Sequence, residues 1–381
     1  VVLQSHLPLS TMVFPMSLIN LNKNEKFILS YLRRKHKASR VELAKVMGVS
    51  NQSLTRLTKS LLEFELIEQQ SKTLGSRGQP AINITIKPNK LYAVGVVFAN
   101  SKLIIRLDDL CGDHIAEISK KIDLSKPKEC LETAESTLNS VLDSMAINEQ
   151  IIGIGIAISG FFVSSNTVCN KYNVDEWTKL DLLSFFEVAF KVPCYVENDG
   201  NANAVGYSLS SRGSDLESAF VLTLSENIGG GFIAKQQLLK GHSGNAGEVA
   251  ALFSPDPEAV RPCLSSLSSY LKRCSIENWQ DSLDPSSDDH QHYLDWLDSA
   301  TCALEQPLHF IQVLFDPSAI VISGDLPYQV RKTIADNVKF KALNYKHTEA
   351  EKAELIIDNE PSPLSKGAST LAIYHFLGTL Y

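Results

Sequence analysis

The sequence predicts an α/β protein in two parts, a basic head joined to an acidic body, and three observations carry that prediction. Residues 1–90 hold 14 Lys and Arg against 5 Asp and Glu, whereas the remaining residues hold 22 against 38, so the chain sums to −7. Between residues 22 and 70 helical periods and capping residues follow one another closely. From Leu91 onward, β-rich apolar segments alternate with amphipathic helices, the pattern of an α/β body.

The chain has 381 residues, enough for two to three domains, and its 44% hydrophobic and 21% charged residues are ordinary globular values. Collagen-like and disordered classes are excluded. The seven cysteines, at 111, 130, 169, 194, 263, 274 and 302, show neither metal-knuckle spacing nor a disulfide framework, and are expected as reduced thiols. No apolar run reaches the ~18–20 residues that span a bilayer, since Ile151 to Val163 is broken by glycines and a serine. Residues 1–21 lack a charged leader and are expected as a tail, so the predicted location is cytoplasmic.

The head is read in chain order. Phe27, Ile28, Tyr31 and Leu32 recur at helical spacing, with Arg33, Arg34 and Lys35 where the helix dipole favours cations. Ser39-Arg40-Val41-Glu42 has the form of a capping box and starts a second helix that runs to about Met47. Gly48-Val49-Ser50 supplies a turn and the next cap. In the third helix Leu54, Leu57 and Leu61 form the apolar stripe, and Asn51, Gln52, Ser53, Thr55, Arg56 and Lys59 fall largely off it, free to meet base edges and phosphates. A short strand at Leu66-Ile67-Glu68, the loop from Thr73 to Pro80 with Arg77 and Gln79, and an alternating strand from Ala81 to Ile86 then form a wing. This succession describes a winged helix-turn-helix over residues 22–88, whose third helix would enter the major groove of an operator. A three-helix protein-interaction bundle is the alternative, but it leaves the local charge of +9 without a reason.

In the body, strands are predicted near 91–98, 102–107, 114–123, 151–158 and 219–224, and helices near 128–145, 179–190 and 291–314. Glycine-rich turns follow two strands, at Ile158-Ser159-Gly160-Phe161 and at Asn227-Ile228-Gly229-Gly230-Gly231. Four segments are more specific: Val196 to Ala204, Ile228 to Gly231, Gly241 to Glu248 and Asp316 to Gly324. Their order and spacing resemble the ROK family of repressors, open reading frames and sugar kinases, over nearly the whole chain. With the head in front, the chain resembles the repressor branch, which includes the xylose and N-acetylglucosamine repressors.

That resemblance implies a two-lobed, actin-like sugar-kinase body over 91–381, a sugar or sugar phosphate between the lobes, and a homodimer or homotetramer holding two heads on double-stranded DNA. It also exposes departures. Where family kinases carry an Asp-x-Gly-x-Thr phosphate loop, this chain reads Gly95-Val96-Val97-Phe98-Ala99-Asn100-Ser101. The second phosphate loop reads Ser225-Glu226-Asn227-Ile228-Gly229-Gly230-Gly231, placing a negative charge where a nucleotide phosphate would lie. Asp199 matches the family's general base, yet a base without a phosphate donor performs no transfer.

At the family's zinc site Ala251 stands in place of the His, and only Cys263 remains of three thiolates, so neither metal nor cofactor is expected. The implied sugar contacts are Asn173, Asn198, Asp199 and Glu248. The expected function is that of a DNA-binding regulator, a repressor of carbohydrate metabolism or transport genes, with no enzymatic activity. The rivals are a sugar kinase with an accessory DNA-binding domain and a regulator that answers to a protein partner.

Overall fold

Asn22 fixes where the head begins. Its side chain accepts the Asn24 and Glu25 amides while the Glu25 carboxylate takes the Asn22 amide, a reciprocal box that starts helix α1 (Lys23–Lys35). Strand β1 (Ala38–Ser39), helix α2 (Arg40–Met47) and helix α3 (Asn51–Glu63) follow. Ser39 caps α2 through the Glu42 amide at 3.2 Å, but the Glu42 carboxylate accepts the Tyr31 hydroxyl at 2.8 Å. The box expected at Ser39 is therefore half made, its second half exchanged for a bond that ties α2 to α1. Gly48 takes the left-handed conformation (φ 65°), and Ser50 caps α3 through the Ser53 amide. Strands β2 (Ile67–Gln70) and β3 (Asn83–Ile86) pair antiparallel from Ile67↔Ile86 to Gln70↔Asn83, with β1 on the far side of β3.

The computed structural model describes residues 19–70, 83–164, 167–170, 172–341, 344–345 and 348–378. Arg77, Gln79 and the predicted first residues of the second wing strand lie outside them.

The first lobe opens with an antiparallel meander of β4 (Tyr92–Ala99), β5 (Lys102–Asp109) and β6 (His114–Lys121). Helix α4 (Pro127–Met145) returns the chain to β7 (Ile151–Ile158), parallel to β4. A hairpin of β8 (Phe161–Ser164) and β9 (Thr167–Cys169), then α5 (Val174–Trp177) and α6 (Leu182–Phe190), lead to β10 (Cys194–Asn198), parallel to β7. The sheet order is β10-β7-β4-β5-β6. The helix predicted from 179 starts at Leu182, because Asp181 caps it through the Ser184 amide. The strand predicted to 123 ends at Lys121.

Helix α7 (Asp199–Ser208) passes into the second lobe. There β11 (Ser218–Leu224), β12 (Ile228–Ala234) and β13 (Gln237–Leu238) form a second antiparallel meander, followed by α8 (Leu264–Arg273) and α9 (His290–Phe315). Strand β14 (Ala319–Ser323) lies parallel to β11. Helix α10 (Tyr328–Asn337) and the pair β15 (Asn344–Tyr345) and β16 (Thr348–Glu349) come next. Strand β17 (Glu354–Ile357) then lies parallel to β14, and α11 (Pro363–Leu377) closes the fold. The sheet order β13-β12-β11-β14-β17 repeats the first lobe's plan of three antiparallel strands extended by two parallel ones.

Helices α7 and α11 pack between the sheets, and small residues allow it. A Cβ on Gly155 of β7 would stand 1.9 Å from the Ala368 carbonyl of α11, and one on Gly206 of α7 would stand 2.8 Å from the Gly367 Cα. A shared core of Val97, Ala157, Ala204, Val221, Ala368 and Leu371 joins the lobes. Further along α11, Ala372, Ile373 and Leu377 enter the cluster that contains Ile28, Leu32, Leu43 and Leu61 of the head. Head and body thus share one core, which α11 enters together with Ala93, Leu110 and Ile152 of the first lobe. Among the described residues, no helix is long and apolar enough to cross a membrane.

Candidate functional site

The parallel strands β7 and β10 end side by side, the place where open α/β sheets hold ligands. Ser159, just past β7, donates from Oγ to Oδ2 of Asp199 at 2.5 Å, and Oδ1 of Asp199 accepts the Gly200 amide at 2.9 Å. Glu248 opens a short turn opposite them, and burial together with the nearby Asp199 charge pushes its carboxyl up to about 7. Two carboxylates sharing one half-buried space, one of them near half protonation at neutral pH, can accept from and donate to sugar hydroxyls.

The other two expected contacts are used differently. Asn198 caps α7, its Oδ1 accepting the Gly200 and Asn201 amides at 2.7 and 3.4 Å while its Nδ2 donates to the Gly160 carbonyl. Asn173 caps α5 through the Glu176 amide at 3.3 Å and donates to the Ser125 carbonyl at 2.8 Å. It is Asn170, fully buried, that reaches the site's edge, donating to the Ser159 carbonyl at 2.7 Å. Ser159 was visible in the sequence only as part of a glycine turn, and no pattern marks Asn170.

The β8–β9 hairpin closes over this space. The Phe162 amide donates to Asn245 Oδ1 and the Asn245 side-chain amide donates back to the Phe162 carbonyl, both at 2.7 Å, so the first lobe holds the second lobe's 241–248 loop. Gly241, Gly244 and Gly247 of that loop all have positive φ, and a Cβ on Gly247 would stand 2.7 Å from the Gly230 carbonyl. Outside the hairpin, Phe162, Glu197, Lys240 and His242 border a cavity of about 440 Å³. Lys240 pairs there with the buried carboxylate of Glu197, whose pKa burial raises.

On the phosphate side, the first amides of α8 are already taken. Leu264 and Ser265 donate to the Ser225 and Glu226 carbonyls at 2.9 and 3.1 Å. The Asp325 amide donates to Ser225 Oγ at 2.9 Å, and its carboxylate accepts Asn100 Nδ2 across the lobes at 3.3 Å. Burial, and after it the Glu226 charge, raises the pKa of the Tyr172 phenol. Asp325 and Glu226 thus both place carboxylates close to Ser225, at the cleft side of the second lobe. The residues of the zinc loop do not fit a zinc ion. Ala251 offers no donor, and Cys263 is packed in the second lobe's core with its thiol pushed up by burial.

In the head, α3 buries Leu54, Leu57, Thr58 and Leu61, and exposes Asn51, Gln52, Ser53, Thr55, Arg56 and Lys59. All six polar residues singled out in this helix thus lie on one open face.

Comparison with known proteins agrees with this architecture. Residues 110–263 match the ROK family. An uncharacterized protein, y4fQ of Sinorhizobium fredii, is 26% identical over 323 residues, 84% of this chain and 82% of its own length. The xylose repressor of Bacillus subtilis is 22% identical over 59% of each chain. NagC of Escherichia coli, a DNA-binding transcriptional dual regulator, is 24% identical over 55% of this chain and 52% of its own. The chain therefore spans little more than half the length of these two regulators. In fold it is similar to a ROK family transcriptional regulator homologous to the E. coli MLC protein, with TM-score 0.68 and 18% identity over 93% of this chain and 98% of that one. A ROK family glucokinase from Streptomyces griseus aligns with TM-score 0.58 and 18% identity over 74% of this chain and 98% of that one. The α/β sugar-kinase-like body with its two mixed sheets contains a ROK family domain.

Proposed function

We propose that the chain is a DNA-binding transcriptional regulator, a repressor of genes for carbohydrate metabolism or transport, working as a homodimer or homotetramer. On this reading residues 22–88 are a winged helix-turn-helix and residues 91–381 an effector body that binds a sugar or sugar phosphate and transfers no phosphate. The observation that carries it is the exposed polar face of α3, with Arg56 and Lys59 among residues able to meet base edges. Arg77 and Gln79 of the wing are proposed as further DNA contacts. Asp199 and Glu248 are proposed to hold the sugar, with Ser159 and Asn170 supporting Asp199, and Asn198 and Asn173 in secondary roles. The names of the related repressors support the function, and the acidic groups at Glu226 and Asp325 weigh against a kinase.

The proposed mechanism is linkage through α11. A sugar that binds one lobe geometry better than another shifts α7 and α11, which touch at Gly206 and Gly367, and the far end of α11 is built into the head's core. Selection of duplexes from random DNA by the full chain, followed by gel shift, tests the DNA reading. Arg56→Ala and Lys59→Ala should each weaken binding, and a lost phosphate contact should lower the salt slope by about one. Equal binding by the double variant and wild type would remove the assignment.

A further inference from the structure

The seam between head and body holds a cavity that neither the DNA face nor the sugar site uses. Its volume is about 250 Å³, and it opens between α1 and the surface formed by the end of α7 and the end of α11. Phe27 and Tyr31 of α1 form one wall, their rings stacked at 6.4 Å, and Leu209 and Leu377 form the other. An apolar cavity of ~150 Å³ already accepts benzene, so this one has room for a ring with a short polar arm.

Its polar groups are few, and three of their atoms have no partner among the described residues. Arg33 and Arg34 both line it, and the Nε of each is buried with no partner among the described residues. Arg33 is held in place by donating from Nη1 to the Leu209 carbonyl at 2.7 Å, and Arg34 stands over the Tyr31 ring at 5.7 Å. At the body side Gln236 donates to the Gly213 carbonyl, while its Oε1 is buried without a donor among the described residues. Buried polar groups left unpaired cost free energy, and a ligand that pairs them recovers it. Two unpaired guanidinium donors, one unpaired acceptor and aromatic walls define a complementary molecule: an anion, a ring and a hydroxyl.

We propose that this seam is a second small-molecule site, for a compact aromatic carboxylic acid whose carboxylate meets Arg33 and Arg34 and whose ring hydroxyl donates to Gln236. Bound there, the acid bridges α1 to the body and favours the head position seen in the structure. Binding is read without DNA or sugar, so it stands or falls separately from the regulator reading.

The test is calorimetric titration and thermal shift of the full chain with 4-hydroxyphenylacetate, its neutral amide, and phenylacetate. The acid should bind and raise the melting temperature, the amide should bind about fivefold or more weakly, and loss of the hydroxyl should cost about two- to tenfold. Arg34→Met should bring the acid down to the level of the amide. Ser30→Phe, which fills the cavity from α1, should abolish both, whereas Asp199→Asn should leave both unchanged. Three results would each overturn the proposal: no binding of the acid at about 10 mM, tenfold above a millimolar Kd; acid and amide bound equally by wild type; or acid binding unchanged by Arg34→Met. The Arg34 variant decides the matter if Ser30→Phe does not fold.

Discussion

Two half-buried titrating side chains pull the stability of the molecule in opposite directions as pH changes. Glu248 is raised from 4.5 to about 7, so the folded state keeps its proton longer than the unfolded chain does. Its contribution is therefore full below pH 4.5 and is lost as pH rises to about 7. His375, stacked on Tyr195 with centroids 4.1 Å apart, is lowered from 6.5 to about 4 by burial and then by the Lys240 charge. The unfolded chain takes that proton first, so its contribution is full above pH 6.5 and is lost as pH falls to about 4. Glu248→Gln should stabilise the protein at pH 8 by on the order of 2 kcal/mol after allowance for solvent screening, with the gain fading by pH 5. His375→Phe, which keeps the stack, should remove part of the loss on acidification. Melting curves of the two variants between pH 4 and 8 check both signs, and parallel curves with wild type would refute them.

Residue roles in the sequence were legible where local chemistry decides them. Ser50 and Gly48 do what their types and positions predict, because capping and left-handed turns need only neighbours in the chain. Asn22 and Glu25 form a capping box in full, for the same local reason. Glu42 shows the limit of such reading, since its carboxylate chose between the Ser39 amide and a Tyr31 hydroxyl that only the packed head brings near. Asn173 shows it again: the chemistry that suits a sugar also suits a helix cap, and the structure uses the cap.

Among elements, the ones expected from periodicity were amphipathic, such as α3 and α4, whose buried residues recur every three or four positions. Helices α7 and α11 carry no such stripe because both are enclosed on nearly every side. In α7 every residue from Gly200 to Ser208 is buried, and in α11 the same holds from Gly367 to Ile373. Their packing depends on glycines meeting backbone. Gly155→Ala should cost about 3 kcal/mol, since the added methyl meets the Ala368 carbonyl and no flexible side chain can yield. Denaturant unfolding measures this, and a cost below that of an ordinary surface substitution would show that α11 can shift away from β7. Such a shift is what coupling between lobes and head requires, so the same measurement gauges how stiff the link is.

At the scale of the whole molecule, the division into a basic head and an acidic body was visible in charge alone, and the lobes were visible through motifs whose glycines and acids lie at strand ends. The seam between head and body was not legible, because its cavity is assembled from α1, α2, the segment that follows α7, the β12–β13 turn and the end of α11, which lie far apart in the chain. The proposed regulator makes one demand on the molecule as a whole: a sugar held at Asp199 must change what the head does. Coupling free energies of this kind usually alter affinity by about 5- to 150-fold. The direct measurement is fluorescence anisotropy of a labelled duplex selected by the full chain, titrated with and without a panel of hexoses, pentoses, amino sugars and their phosphates. Wild type should change its affinity about fivefold or more with at least one of them, and Asp199→Ala should bind the duplex equally well but respond to none. A duplex affinity indifferent to every sugar, or a response that survives in Asp199→Ala, would contradict the proposed function.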